Sequence, residues 1–154
     1  MRAALVRTSD GLVANLIEIE FALPTEPWAA PYVVPQGYEL RTAQRPDGTW
    51  LPIQPGDRWD GTRYLRPSIA APAQLAVGQQ GTVTLRWAVA ETGEPAAYRA
   101  PITLDVLGQQ HTYTPGPDGS VQVPFTATVP GTYTLQVVEP ELGVVLAAAV
   151  VTVT

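Results

Sequence analysis

The chain has 154 residues, 45% apolar and 15% charged, with a net charge of −5 and no cysteine. That much apolar material supports a core and argues against global disorder; the missing cysteine excludes disulfide staples, thiolate metal sites and thiol nucleophiles. No basic stripe is present, which argues against binding a nucleic-acid backbone, and the longest apolar run, Val144 to Val151, falls far short of the roughly 20 residues a spanning helix needs.

All basic residues are Arg, and charge is uneven: residues 1–70 hold seven Arg against eight acids, whereas residues 71–154 hold two Arg against six acids. Only four apolar residues separate Arg2 from Arg7, so no signal peptide is expected.

Short apolar–polar alternations bounded by Gly and Pro predict an all-β chain. Residues 3–8 and 12–20 predict a hairpin around Ser9-Asp10-Gly11. The apolar residues on both faces of its second strand predict a bulge or a doubly buried strand. Residues 21–36 carry Pro24, Pro27, Pro31 and Pro35 and predict an extended connection. Its Trp28 and Tyr32 are candidate partner contacts, since exposed aromatics anchor interfaces. A short strand is expected over 37–43, then a Pro46-Asp47-Gly48 turn into Thr49-Trp50-Leu51. Asp60-Gly61 predicts a two-residue hairpin between Arg58-Trp59 and Thr62–Leu65. Residues 1–67 thus predict a small β meander, followed by a linker at 68–72.

From residue 73 to 154 the texture becomes regular. Strands are expected at 73–77, 82–90, 101–107, 120–128, 131–138 and 144–153, with turns between them, as in a β-sandwich. Val83, Leu85, Trp87 and Val89 form one predicted inward row; Ile102, Leu104 and Val106 form a second, and Tyr133, Leu135 and Val137 a third. The last strand is apolar on both faces, so it is expected to lie under the linker or the first module, or to meet another subunit.

Two resemblances follow from these phrases. The opening Ala3-Ala4-Leu5-Val6-Arg7, its turn at Asp10-Gly11 and the following Leu12-Val13-Ala14-Asn15-Leu16-Ile17-Glu18-Ile19-Glu20, the middle Pro35-Gln36-Gly37-Tyr38-Glu39-Leu40 and the closing Trp59-Asp60-Gly61-Thr62-Arg63-Tyr64-Leu65-Arg66-Pro67 together resemble the N-terminal module of short bacteriophage virion proteins. The phrase Pro130-Gly131-Thr132-Tyr133-Thr134-Leu135-Gln136-Val137, after Asp118-Gly119-Ser120-Val121, resembles bacterial and phage immunoglobulin-like domains; there Tyr133 would be the corner tyrosine and Trp87 the core tryptophan. The first resemblance implies a non-enzymatic virion structural protein, a capsid decoration protein before a tail or tail-fibre accessory. It would be made in the host cytoplasm and carried in many copies, or as a homo-oligomer, on the virion surface beside other virion proteins. An immunoglobulin-like sandwich by itself hosts unrelated roles.

Candidate chemistry is sparse. His111 is the single His and has no adjacent nucleophile or carboxylate to make it a general base; an exposed strand or turn residue is the simpler reading. Asp47, Asp57 and Asp60 lack the spacing of a calcium loop and suit turn chemistry. Trp50, Trp59 and Tyr64 fit either a sugar-stacking platform, which would make the chain a carbohydrate-binding module for host-surface glycans, or the small core of the first module. No cofactor, metal or catalytic residue is expected.

Overall fold

The computed structural model describes residues 2–18 and 33–154. Among these, every regular element is a strand. The first three strands are β1 (Arg2–Arg7), β2 (Val13–Glu18) and β3 (Tyr38–Thr42), paired antiparallel in the order β2-β1-β3. The β1–β2 turn forms at Asp10-Gly11 because Gly11 takes a φ of 73°, which few side chains tolerate. The Asp10 carboxylate also accepts from the Leu12 N–H. Leu5 pairs with Asn15 and Val6 with Val13, so Ala14 is extra and the expected bulge is present. As the central strand, β1 is buried on both faces from Ala3 to Val6.

The remaining strands are β4 (Arg58–Trp59), β5 (Tyr64–Ala70), β6 (Gln74–Leu75), β7 (Gln80–Val89), β8 (Ile102–Val106), β9 (Gln109–Tyr113), β10 (Ser120–Thr126), β11 (Gly131–Glu139) and β12 (Val144–Val153). They make two sheets, β10-β7-β5-β4 and β6-β12-β11-β8-β9. At Ala71-Pro72-Ala73 the chain steps from the first sheet to the second, where β6 runs parallel to β12. The result is an immunoglobulin-like β-sandwich.

The predicted inward rows fill its core. Val83, Leu85, Trp87 and Val89 are buried together with Ile102, Leu104, Leu135 and Val137. Val106 and Tyr133 pack at its margin, partly buried. The Trp87 indole donates to the Ala100 carbonyl at 2.8 Å and stands edge-on to Tyr98, with centroids 5.0 Å apart. Burying such side chains stabilises by roughly 1.5–3 kcal/mol each. Tyr133 behaves as a corner tyrosine: its hydroxyl donates to the Val129 carbonyl, four residues upstream, at 2.7 Å.

Three expectations need correction. The linker expected at 68–72 is not a linker over its first half: Ser68, Ile69 and Ala70 complete β5, pairing with Arg86, Leu85 and Thr84 of β7. Prolines at 67 and 72 suggest a linker, yet a strand accepts Pro where its missing N–H is not needed for the ladder. The first sheet of the sandwich therefore begins with β4 at Arg58, inside the segment assigned to the first module. Next, β9 has no counterpart among the predicted strands, because Gln109-Gln110-His111-Thr112-Tyr113 offers no apolar row. It forms because Leu107 and Gly108 both take positive φ, as a two-residue hairpin turn requires. Finally, the Asp60-Gly61 hairpin closes with four loop residues, since Trp59 pairs with Tyr64. The Asp60 carboxylate holds that loop by accepting from the Thr62 and Arg63 N–H groups.

Candidate functional site

The described residues of the first module and the sandwich meet along a continuous junction. The β1–β2 turn seats β4: the Trp59 N–H donates to the Gly11 carbonyl at 2.7 Å, and the Gly56 N–H donates to Val13 at 2.8 Å. Gly56 is pressed so close to Leu146 and Val144 that a Cβ there would lie within 2.9 Å of both side chains. The start of β12 therefore lies under the first module, as one of the two expectations for that strand had it. Val145 and Val150 of the same strand are exposed.

Charge stitches the junction. Arg7 binds Glu141 at 2.6 Å, Arg58 binds Glu139 at 3.3 Å, and Arg45 binds Glu91 at 2.7 Å. In each pair the Arg precedes β5 and the Glu comes from the sandwich, so the uneven charge of the sequence has a structural use. Asp10 sits between Arg7 and Arg58, 2.6 and 2.7 Å from them. Its carboxyl is held well below the usual carboxylate range, chiefly by the Arg7 hydrogen bond and also by the Leu12 N–H and Arg58. Glu141 is lowered too, again mainly by Arg7. Asp57 is fully buried, and desolvation pushes its carboxyl up despite the paired contacts of Arg66 at 2.7 and 2.8 Å.

A cleft of about 540 Å³ opens beside this cluster, lined by Asp10, Arg58, Trp87, Tyr98, Ile102 and Glu139 among others. Asp10 and Glu139 are both engaged by Arg58 there. A carboxylate committed to a guanidinium is a poor general base, so the arrangement reads as structural.

The second concave feature is a groove of about 400 Å³ on the β5–β7 side. It is lined by Trp59 and Tyr64, with Thr42 from β3, Arg63 from the β4–β5 loop, and Glu91 and Glu94 from the turn after β7. The Trp59 and Tyr64 rings lie 4.8 Å apart at 53°. The Tyr64 hydroxyl donates to the Thr42 carbonyl at 2.8 Å, and burial pushes its pKa up to about 12. The Arg41 guanidinium lies 5.5 Å from the centre of the Trp59 ring.

Of the three aromatic residues suggested for glycan stacking, then, two share a groove. They also belong to the first module's core, Tyr64 as a buried member and Trp59 packed against it. Trp50 is apart from the groove lining, 51% exposed, with the Arg2 guanidinium 4.4 Å from its ring centre. Trp28 and Tyr32 lie outside the described residues. His111 is exposed on β9. Asp47 and Asp60 serve turns, accepting from the N–H groups of Thr49 and Thr62. Among the described residues, no group of three or more His, Asp or Glu is placed to hold a metal ion. No described helix is long and apolar enough to cross a membrane. The junction residues Arg7, Arg58, Glu139 and Glu141 and the groove residue Glu94 are not among the sequence candidates. The only signal for them is the charge imbalance, which names no individual residue.

No protein-family model matches the chain, and no curated protein does. Two solved structures of the CARDB domain of a Pyrococcus furiosus protein are similar to it. The crystal structure, in complex with di-metal ions, is 19% identical, covers 58% of this chain and 87% of that one, and has a TM-score of 0.40. The solution NMR structure is 18% identical, covers 58% of this chain and 94% of that one, and has a TM-score of 0.42. Scores this low carry no argument about function, and the metal ions belong to that protein.

Proposed function

We propose that this chain is a non-enzymatic structural protein of a bacteriophage particle, a capsid decoration protein or, as the alternative, a tail or tail-fibre accessory. The first module attaches to other virion proteins and the sandwich projects from the surface. One observation carries this reading: the three phrases that resemble virion modules assemble into a single body. Leu5, Val6 and Arg7 of the opening pair with Leu40, Glu39 and Tyr38 of the middle phrase, and the Trp59 N–H donates to the Gly11 carbonyl at 2.7 Å, so opening, middle and closing phrases are neighbours. A module pinned to its sandwich loses little freedom on docking, and many weak contacts on a repeating surface suffice for attachment.

The test is mass spectrometry of purified particles from the host that carries the gene, followed by rebinding of recombinant chain to particles that lack it. The reading expects several copies per particle. It also expects rebinding weakened by Arg41→Glu or Trp50→Ala on the first module and unchanged by Gln110→Ala or His111→Ala on the sandwich edge. Absence from particles and no rebinding sinks it.

A second reading, a carbohydrate-binding module for host-surface glycans, is favoured by the shared groove of Trp59 and Tyr64. Binding of the isolated chain to a glycan array tests it.

A further inference from the structure

We infer that the Trp59–Tyr64 groove binds neutral oligosaccharides, with the Glu94 carboxylate accepting from sugar hydroxyls; this rests on the carbohydrate reading above. The floor is aromatic, and the Trp59 and Tyr64 rings are fixed by the β4–β5 pairing and by the Tyr64–Thr42 hydrogen bond. Thr42, Thr62 and Thr92 are among the residues of its walls. Such a mix of apolar floor and few polar groups on rigid elements is what orients a small ligand.

The charges select the class. Glu91 is engaged by Arg45 at 2.7 Å, and Arg63 lies 3.4 Å from Asp60. Glu94 is exposed, and among the described residues its carboxylate takes part in no ion pair or side-chain hydrogen bond. The groove therefore presents one free negative charge, which repels sialylated and uronate-containing glycans. What fits is a hydroxyl-rich ligand without negative charge and with an apolar ring face. An ionised carboxylate is the stronger kind of acceptor for its hydroxyls.

The experiment titrates the full chain with cellotetraose, chitotetraose and mannotetraose, and with sialyllactose and tetragalacturonate as acidic counterparts, following indole fluorescence. Saturable binding of at least one neutral probe and none of the acidic ones is expected. Glu94→Gln should weaken that binding roughly tenfold, about 1.4 kcal/mol, without moving the melting temperature, and Trp50→Ala should leave it unchanged. Because Trp59 is also a core residue, the exposed Glu94 is the informative variant. Binding lost in Trp50→Ala, or unchanged in Glu94→Gln, overturns the groove assignment and spares the carbohydrate reading. Preference for an acidic probe overturns the inference likewise. No binding to any glycan, here or on the array, overturns both.

Discussion

Tyr64 and Leu65 are consecutive on β5, and their side chains enter different cores. Tyr64, 6% exposed, packs with Val6, Val13 and Ile53 of the first module, whereas Leu65, fully buried, packs with Leu85 and Trp87 of the sandwich. Strand alternation puts neighbours on opposite faces, so one strand closes two cores. Leu65→Ala should cost about 2–5 kcal/mol by leaving a cavity. Tyr64→Phe, which removes only the bond to Thr42, should cost about 0.5–1.5 kcal/mol. Both should shift one common urea transition, read at the same midpoint by fluorescence and circular dichroism. Separate transitions would show the cores to be independent.

Trp87→Ala should destabilise by about 3–5 kcal/mol. Trp87→Phe keeps most of the ring volume yet strands the Ala100 carbonyl, and should cost about 1–3 kcal/mol. Chemical denaturation of the two variants separates packing from hydrogen bonding; a negligible effect of Trp87→Ala would contradict its place in the core.

Gly11→Ala should destabilise by at least about 1–2 kcal/mol, the cost of a left-handed backbone for a residue with a Cβ. The real cost should be higher, because that Cβ would collide with the Trp59 carbonyl. The check is a melting curve beside Gly48→Ala, where φ is also positive but nothing lies within 4 Å. Equal losses would mean that the contact with β4 is unimportant.

Acid should loosen the junction. Asp10 and Glu141 have folded pKa values below their unfolded ones. Their contribution is fully present above the unfolded carboxylate range, near pH 4, and is lost progressively as pH falls from there through their lower folded values. Asp57 has the opposite sign: its raised carboxyl makes protonation less unfavourable in the fold, so it partly offsets that loss. Urea midpoints between pH 6 and pH 3 should fall, and Asp10→Asn should flatten the fall. A profile unchanged in Asp10→Asn would remove the ion cluster from the account.

Much of the sandwich was legible because its rows alternate: the inward sides of β7, β8 and β11 follow from their sequence. The bulge at Ala14 was legible, as one of two alternatives, from the break in alternation along β2, and the corner role of Tyr133 only from the resemblance to immunoglobulin-like domains. β9 was not, since an edge strand with polar side chains leaves no periodic trace. β5 was misread because Pro67 and Pro72 look like linker residues until β7 supplies a partner. The junction was invisible for a different cause. Arg7 and Glu141 are 134 positions apart, and charges carry no register that would pair them in advance. The groove was half legible: Trp59 and Tyr64 are close in the chain, but Glu94 reaches them only through the turn after β7.

The shared strand is most directly tested by calorimetry of the full chain beside a fragment of residues 70–154, which keeps β6 to β12 but lacks nearly all of β5. The account predicts one cooperative transition for the full chain and none for the fragment, because Leu65 is gone and the edge of β7 that pairs with β5 is left open. A fragment that melts cooperatively near the temperature of the full chain would contradict it.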